Sequence, residues 1–166
     1  MIHPEPGAKL SAEDWKHRLL ILWAWRQMRC VCTAERDKAA TYRAVLDGCA
    51  VTIRALCDII GVSFNFRANS IKEENRTEDL LKCCKRGKQI VDALIAEDQR
   101  CVAEVLYLAN RAVAHPADGD IAHKAGPHEM TVAINTVLSW LKGKSSQWNA
   151  LNEVPQELLV PMPPLT

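Results

Sequence analysis

Tyr42, Val45, Leu46, Cys49, Ile53, Leu56, Cys57 and Ile60 recur at steps of three and four along one stretch of the chain. That is the period of one face of an α-helix, and it differs from the strict alternation of a half-buried strand. Gly61 follows directly, and glycine is the usual residue where a helix ends in a left-handed turn. The same period returns four more times. Trp15, Leu19, Leu22 and Trp23 predict a helix from Ala12 to Cys30, opened by Ser11 and Asp14 as a capping box. Leu80, Leu81, Cys84, Val91, Leu94 and Ile95 predict another, begun at Thr77. Cys101, Val105, Leu108 and Ala112 predict a fourth from about Asp98, stopped by Pro116. Met130, Ile134, Val137, Leu138 and Leu141 predict a fifth, from His128 to about Gly143, with a short turn near Trp148. No stretch reads as a strand. The expected fold is all-α, an up-and-down helical bundle of four to five helices.

A chain of 166 residues is the size of one domain. Two prolines and a glycine within residues 1–10 predict a flexible N-terminal arm, and residues 11–152 make the bundle. Pro155, Pro161, Pro163 and Pro164 predict an extended proline-rich tail over 153–166. The polar stretch Thr33–Lys38 either turns the chain or continues one long helix. Residues 62–76 and 116–127 read as loops. Val45, Cys49, Ile53, Leu56, Leu80, Leu94, Val105, Leu108, Ile134 and Leu141 are expected in the core. Leu19 to Trp25 is apolar almost all round, which predicts burial on more than one side or a subunit interface.

The run Leu19–Trp25 is also the longest apolar run. A membrane-spanning helix needs about 20 such residues, so no membrane span is expected. The first residues show no charged stretch followed by an apolar one, so the expected location is the cytoplasm. A net charge of +1 from 21 basic and 20 acidic residues provides no general field for nucleic acid. The seven cysteines are odd in number, which argues against a disulfide framework and for reduced thiols.

Phosphate-loop, dinucleotide, zinc-protease and serine-hydrolase motifs are all missing. Four groups of residues remain as candidates. Arg111 and His115 are four apart and share a helix face, with Asn110 beside them. An imidazole beside a fixed cation can act as an acid or base, or the two side chains can cap a helix end. Arg54 and Asp58 repeat the spacing on the second helix. They make either a surface ion pair or one wall of a polar pocket with Asn110, Arg111 and His115. His115, Asp118, Asp120, His123, His128 and Glu129 bring imidazoles and carboxylates together near one loop. Their spacing matches no standard metal site, so no metal and no cofactor is expected. Lys82, Lys85, Arg86 and Lys88 are basic around Cys83-Cys84 and form either a solvated face or a phosphate contact.

The runs Tyr42-Arg43-Ala44-Val45-Leu46 and Ile53-Arg54-Ala55-Leu56-Cys57-Asp58-Ile59-Ile60, followed by Asn110-Arg111-Ala112-Val113-Ala114-His115, resemble a pattern of uncharacterised bacterial helical proteins. More distantly they resemble the HEPN superfamily of helical bundles. The resemblance covers the second helix through the fifth. It implies an up-and-down, HEPN-like bundle in a bacterial protein, of a superfamily that often dimerises, so a homodimer is expected. Many members of that superfamily are metal-independent ribonucleases of toxin or defence systems, and others are inactive or bind partners. Their motif sets four to six residues between arginine and histidine, whereas three separate Arg111 from His115 here. The expected function is therefore a non-enzymatic binding or accessory protein with a protein partner. The alternatives are a ribonuclease with Arg111 and His115 catalytic on RNA, and a small-ligand or metal-binding helical protein.

Overall fold

The computed structural model describes residues 5–30, 34–65, 80–110 and 125–165. It is an all-α bundle with one small hairpin. Ser11 opens α1 (Ala12–Met28): its Oγ accepts the Asp14 N–H at 3.1 Å, and Asp14 Oδ2 accepts the Ser11 N–H at 3.1 Å. The two orphan donors of the helix start are thus satisfied reciprocally, as the sequence predicts. The chain leaves the helix after Met28, and α2 (Arg36–Ile60) starts anew, so the two are separate helices. Gly61 ends α2 at φ 94°, its N–H donating to Cys57 and Asp58 carbonyls.

Beyond Gly61 the structure departs from the expected loop. Val62–Phe64 forms β1, which pairs antiparallel with β2 (Leu81–Cys83) in the register Val62 to Cys83 and Phe64 to Leu81. Three-residue strands are too short for alternation to stand out in a sequence. Leu81 and Cys84 therefore lie outside any helix. Cys84 is the N-cap of α3 (Lys85–Asp92), and Thr77, the expected start, lies outside the described residues. α4 (Ala96–Leu108) and α5 (Pro127–Lys144) begin close to where the sequence predicts, although α4 ends at Leu108 and Gly143 stays helical. Pro116 and the loop after it lie outside the described residues. The turn near Trp148 is α6 (Asn149–Asn152).

α1 packs on α2, α2 on both α4 and α5, and α4 along α5. The core holds Trp15, Leu19, Leu22 and Trp25 from α1, with Cys49, Ile53 and Leu56 from α2. Val105, Leu106 and Leu108 of α4 and Met130, Ile134 and Leu141 of α5 complete it. Trp25 replaces Trp23 in the buried stripe of α1. Trp23 is half-buried, with the Arg26 guanidinium 4.4 Å over its ring. Of the ten residues expected inside, Val45 and Leu94 are only half-buried, and Leu20 on the outer side of α1 is 46% exposed. No helix of the described residues is long and apolar enough to cross a membrane.

Residues 5–10 and 153–165 lie against the bundle, where a flexible arm and an extended tail were expected. From Glu5 the arm makes a 3-10 turn over Pro6–Lys9 with Gly7 buried. The tail makes a second 3-10 turn over Gln156–Leu159, which packs on α1 and α5 and buries Leu158, Leu159 and Met162. Polar side chains hold the tail backbone. Arg26 donates to the Val160 carbonyl and Arg29 to that of Pro163 at 2.6 Å. Asn135 bonds both main-chain groups of Met162, at 2.7 and 2.8 Å. Proline cannot donate to such pairs, but its carbonyl accepts normally.

Candidate functional site

α4 and α5 begin side by side, and charged groups from both first turns meet there. Arg100 lies at the centre. Its Nε and one terminal nitrogen donate to the two oxygens of Glu97, at 2.9 and 2.7 Å. The same terminal nitrogen lies 3.3 Å from Glu129 Oε1 on α5. The fork of a guanidinium suits a carboxylate in this two-point way. Glu129 also accepts the Gly126 N–H at 3.0 Å, so it closes the start of α5 while it holds Arg100. His128 Nε2 lies 3.2 Å from Glu97 Oε1, and Cys101 Sγ lies 3.6 Å from the same oxygen. Glu97 and Cys101 are four apart and therefore share a face of α4.

The electrostatics follow from this geometry. The Arg100 hydrogen bonds pull the Glu97 pKa down to about 2, against the cost of burial and with help from His128. Arg100 is raised in turn, first by Glu97. Burial opposes the charge of Glu129, but main-chain donors at Glu129 and Gly126, and then Arg100, outweigh it and lower its pKa. Burial pushes the Cys101 thiol up to about 12. Glu97 and His128 are exposed and Cys101 is buried. Glu97 oxygen, Cys101 sulfur and His128 nitrogen lie within 4.8 Å of one another, and these are the atoms able to hold a cation.

A second polar group closes the arm onto the bundle. Glu5 Oε2 accepts the Trp148 Nε1–H at 3.0 Å, Arg86 lies 3.1 Å from its Oε1, and Lys144 Nζ lies 3.7 Å from Oε2. The Arg86 hydrogen bond leads in lowering the Glu5 pKa against burial, followed by Trp148 and Lys144. These groups border a pocket of about 200 Å³ walled by Ile59, Ile60 and Ile90. Gly7 lies flat against the Trp148 ring, whose atoms would come within 2.6 Å of any added Cβ. A larger open groove of about 460 Å³ lies between α3, α4 and α5, lined by Leu94, Asp98, Val132 and Trp140 among others.

The residues singled out in the sequence are only partly brought together. Arg111 and His115 lie outside the described residues, as do Asp118, Asp120 and His123. Asn110 turns back to donate to the Leu106 carbonyl of its own helix at 2.8 Å. Asp58 borders a hollow with Gly61, Ser63 and Lys82, beside the hairpin. Among the described residues, no hydrogen bond or ion pair joins Arg54 or Asp58 to Asn110 or to each other. His128 and Glu129 do belong to a cluster, whereas Glu97, Arg100 and Cys101 were missed. Spacings of three and four between Glu97, Arg100 and Cys101 look like an ordinary helix surface with one core residue. Their convergence depends on His128, 31 positions from Glu97. Arg86, from the basic run, contacts a carboxylate of the chain itself.

None of the six described cysteines is bridged. Cys84 is exposed at the start of α3, where the Gly87 main-chain N–H leads in lowering its thiol pKa, with Arg86 adding its N–H and charge. Burial raises the thiols of Cys49, Cys57 and Cys101. Since the thiolate is the nucleophile, iodoacetamide at neutral pH should label Cys84 well before those three. Peptide mapping of a time course checks this; equal labelling of Cys84 and Cys57 would contradict it.

Comparison of the chain with protein-family models, with curated proteins and with solved structures finds no match.

Proposed function

We propose that this chain is a non-enzymatic binding or accessory protein on a HEPN-like bundle, and that it takes an acidic segment of a protein partner in the pocket that now holds Glu5. One observation carries the reading: the carboxylate of Glu5, at the start of the 3-10 turn, is already held by Arg86, Lys144 and the Trp148 indole N–H. Charge-assisted bonds of this kind are about twice as strong as neutral ones. The apolar wall and flat indole beside them suit the small residues that flank such an acid. A tethered arm competes with any outside ligand, so the apparent affinity falls with the fraction of time the pocket is free.

The test uses full-length protein and a labelled peptide copying residues 1–10. Glu5→Gln weakens the arm's own hold, and the variant should bind the peptide about tenfold more tightly than wild type if the arm is docked nine-tenths of the time. Adding Arg86→Ala should remove that gain. Equal binding by wild type and Glu5→Gln would sink the pocket. The ribonuclease reading has its own arm of the test. RNA cleavage that survives purification and is lost in both Arg111→Ala and His115→Ala would replace the accessory reading with a catalytic one.

A further inference from the structure

We propose that Glu97, Cys101 and His128 form a binding site for a divalent transition-metal ion of the zinc type. The argument starts from the shape of a tetrahedral zinc centre. Bonds of about 2.0–2.2 Å to oxygen and nitrogen and about 2.3 Å to sulfur place neighbouring ligand atoms roughly 3.3–3.6 Å apart. The structure sets His128 Nε2 and Cys101 Sγ at 3.2 and 3.6 Å from the same Glu97 oxygen. The third separation is within 4.8 Å. Two edges of the ligand triangle thus already have the required length, and small side-chain rotations of the exposed Glu97 and His128 close the third.

The donor set selects the ion. One thiolate, one imidazole and one carboxylate favour a borderline ion such as Zn²⁺ or Co²⁺ over Mg²⁺ or Ca²⁺, which take oxygen ligands. Binding forms a metal–sulfur bond, and the thiol proton of Cys101 leaves for the solvent. Two ligand charges then balance the two of the ion, with the imidazole neutral. Arg100 and Glu129 cancel each other, so no charge is left uncompensated.

Arg100 is the competitor for the ion, since one terminal nitrogen lies 2.7 Å from Glu97 Oε1 and 3.7 Å from Cys101 Sγ, but a carboxylate has about four lone-pair sites. The Nε of Arg100 holds Oε2, and on binding the terminal nitrogen shifts onto Glu129, 3.3 Å away, which frees both Oε1 and the Cys101 sulfur for the ion. Arg100 would then orient the ligand, as groups behind metal ligands commonly do. Three protein ligands with two of them exposed leave a fourth position facing solvent, the arrangement of zinc sites that keep an open place.

Co²⁺ titration of the reduced, full-length protein tests this, with absorbance as the readout. One equivalent should give a thiolate-to-cobalt charge-transfer band in the near ultraviolet, together with the strong visible bands of four-coordinate cobalt. One equivalent of Zn²⁺ should erase both. Cys101→Ser should abolish the charge-transfer band. His128→Ala changes a side chain that is 58% exposed, and should weaken binding by at least about tenfold. A Cys83→Ser, Cys84→Ser double variant should keep the full signal. Absence of the band in wild type, its survival in Cys101→Ser, or its loss in the double variant would each overturn the proposal.

Discussion

Trp15→Ala should lower the stability of the chain by about 3–5 kcal/mol, the cost of emptying a large buried aromatic site. Trp15 is completely buried, and its ring stacks on Trp148 with centroids 5.5 Å apart and planes 17° from parallel. Trp148 in turn supports Gly7 and donates to Glu5. Removal of Trp15 therefore empties the α1 side of the core and takes away one face of the support for the arm. Urea denaturation followed by circular dichroism measures the loss. Trp15→Phe distinguishes packing from polarity. The Trp15 indole N–H is buried and meets no acceptor among the described residues. A buried donor left unsatisfied costs about 1–3 kcal/mol. Phenylalanine keeps a ring against Trp148 and discards that donor, so its penalty should be less than half that of alanine. Equal penalties for the two variants would show that the stacked ring contributes little.

The same structure shows which features a reader can take from the chain and which need the fold. The period of α2 is legible because one long helix repeats its buried face many times before Gly61 stops it. The capping box at Ser11 and Asp14 is legible because it is local. The hairpin is not, since each strand is three residues long and β1 pairs with a segment 19 positions away. The segments 5–10 and 153–165 show a related limit. Prolines and a glycine do predict the lack of long helix there, but they do not reveal that Trp148, Arg26, Arg29 and Asn135 wait on the bundle to bind those segments. The cluster at the joint start of α4 and α5 shows the limit most clearly. His128 and Glu129 attract notice as titratable groups near a loop. Glu97 and Arg100 look like a surface pair, which is worth little by itself. Only the packing of α4 along α5 turns the four, with Cys101 beneath, into one site.

The second large effect is expected where the end of α2 meets the start of α3. Gly87→Ala should destabilise the chain by about 3 kcal/mol, the upper part of the range for overpacking. A Cβ on Gly87 would press on the Gly61 carbonyl, 2.8 Å from its carbon and closer still to its oxygen, and 3.1 Å from Val62 Cγ2. That carbonyl cannot turn away, because it accepts the Cys84 N–H at 2.9 Å and belongs to a residue fixed at φ 94°. Helix α3 must instead lift off the bundle. Gly61→Ala should cost a different sum. The left-handed conformation contributes about 1–2 kcal/mol for a residue with a Cβ, and that Cβ would also collide with the Cys84 side chain. The collision can be relieved, so Gly61→Ala combined with Cys84→Ala should recover part of the loss. No neighbouring side-chain change should rescue Gly87→Ala, whose obstacle is main chain. Lifting α3 has a chemical consequence as well. It withdraws the Gly87 N–H that leads in lowering the Cys84 thiol pKa, so alkylation of Cys84 in folded Gly87→Ala should slow. Denaturation midpoints of the two single variants and the double variant, with the Cys84 alkylation rate of Gly87→Ala, together test the arrangement. A Gly87→Ala protein as stable as wild type, with Cys84 reacting at its original rate, would show that α3 does not depend on this close approach.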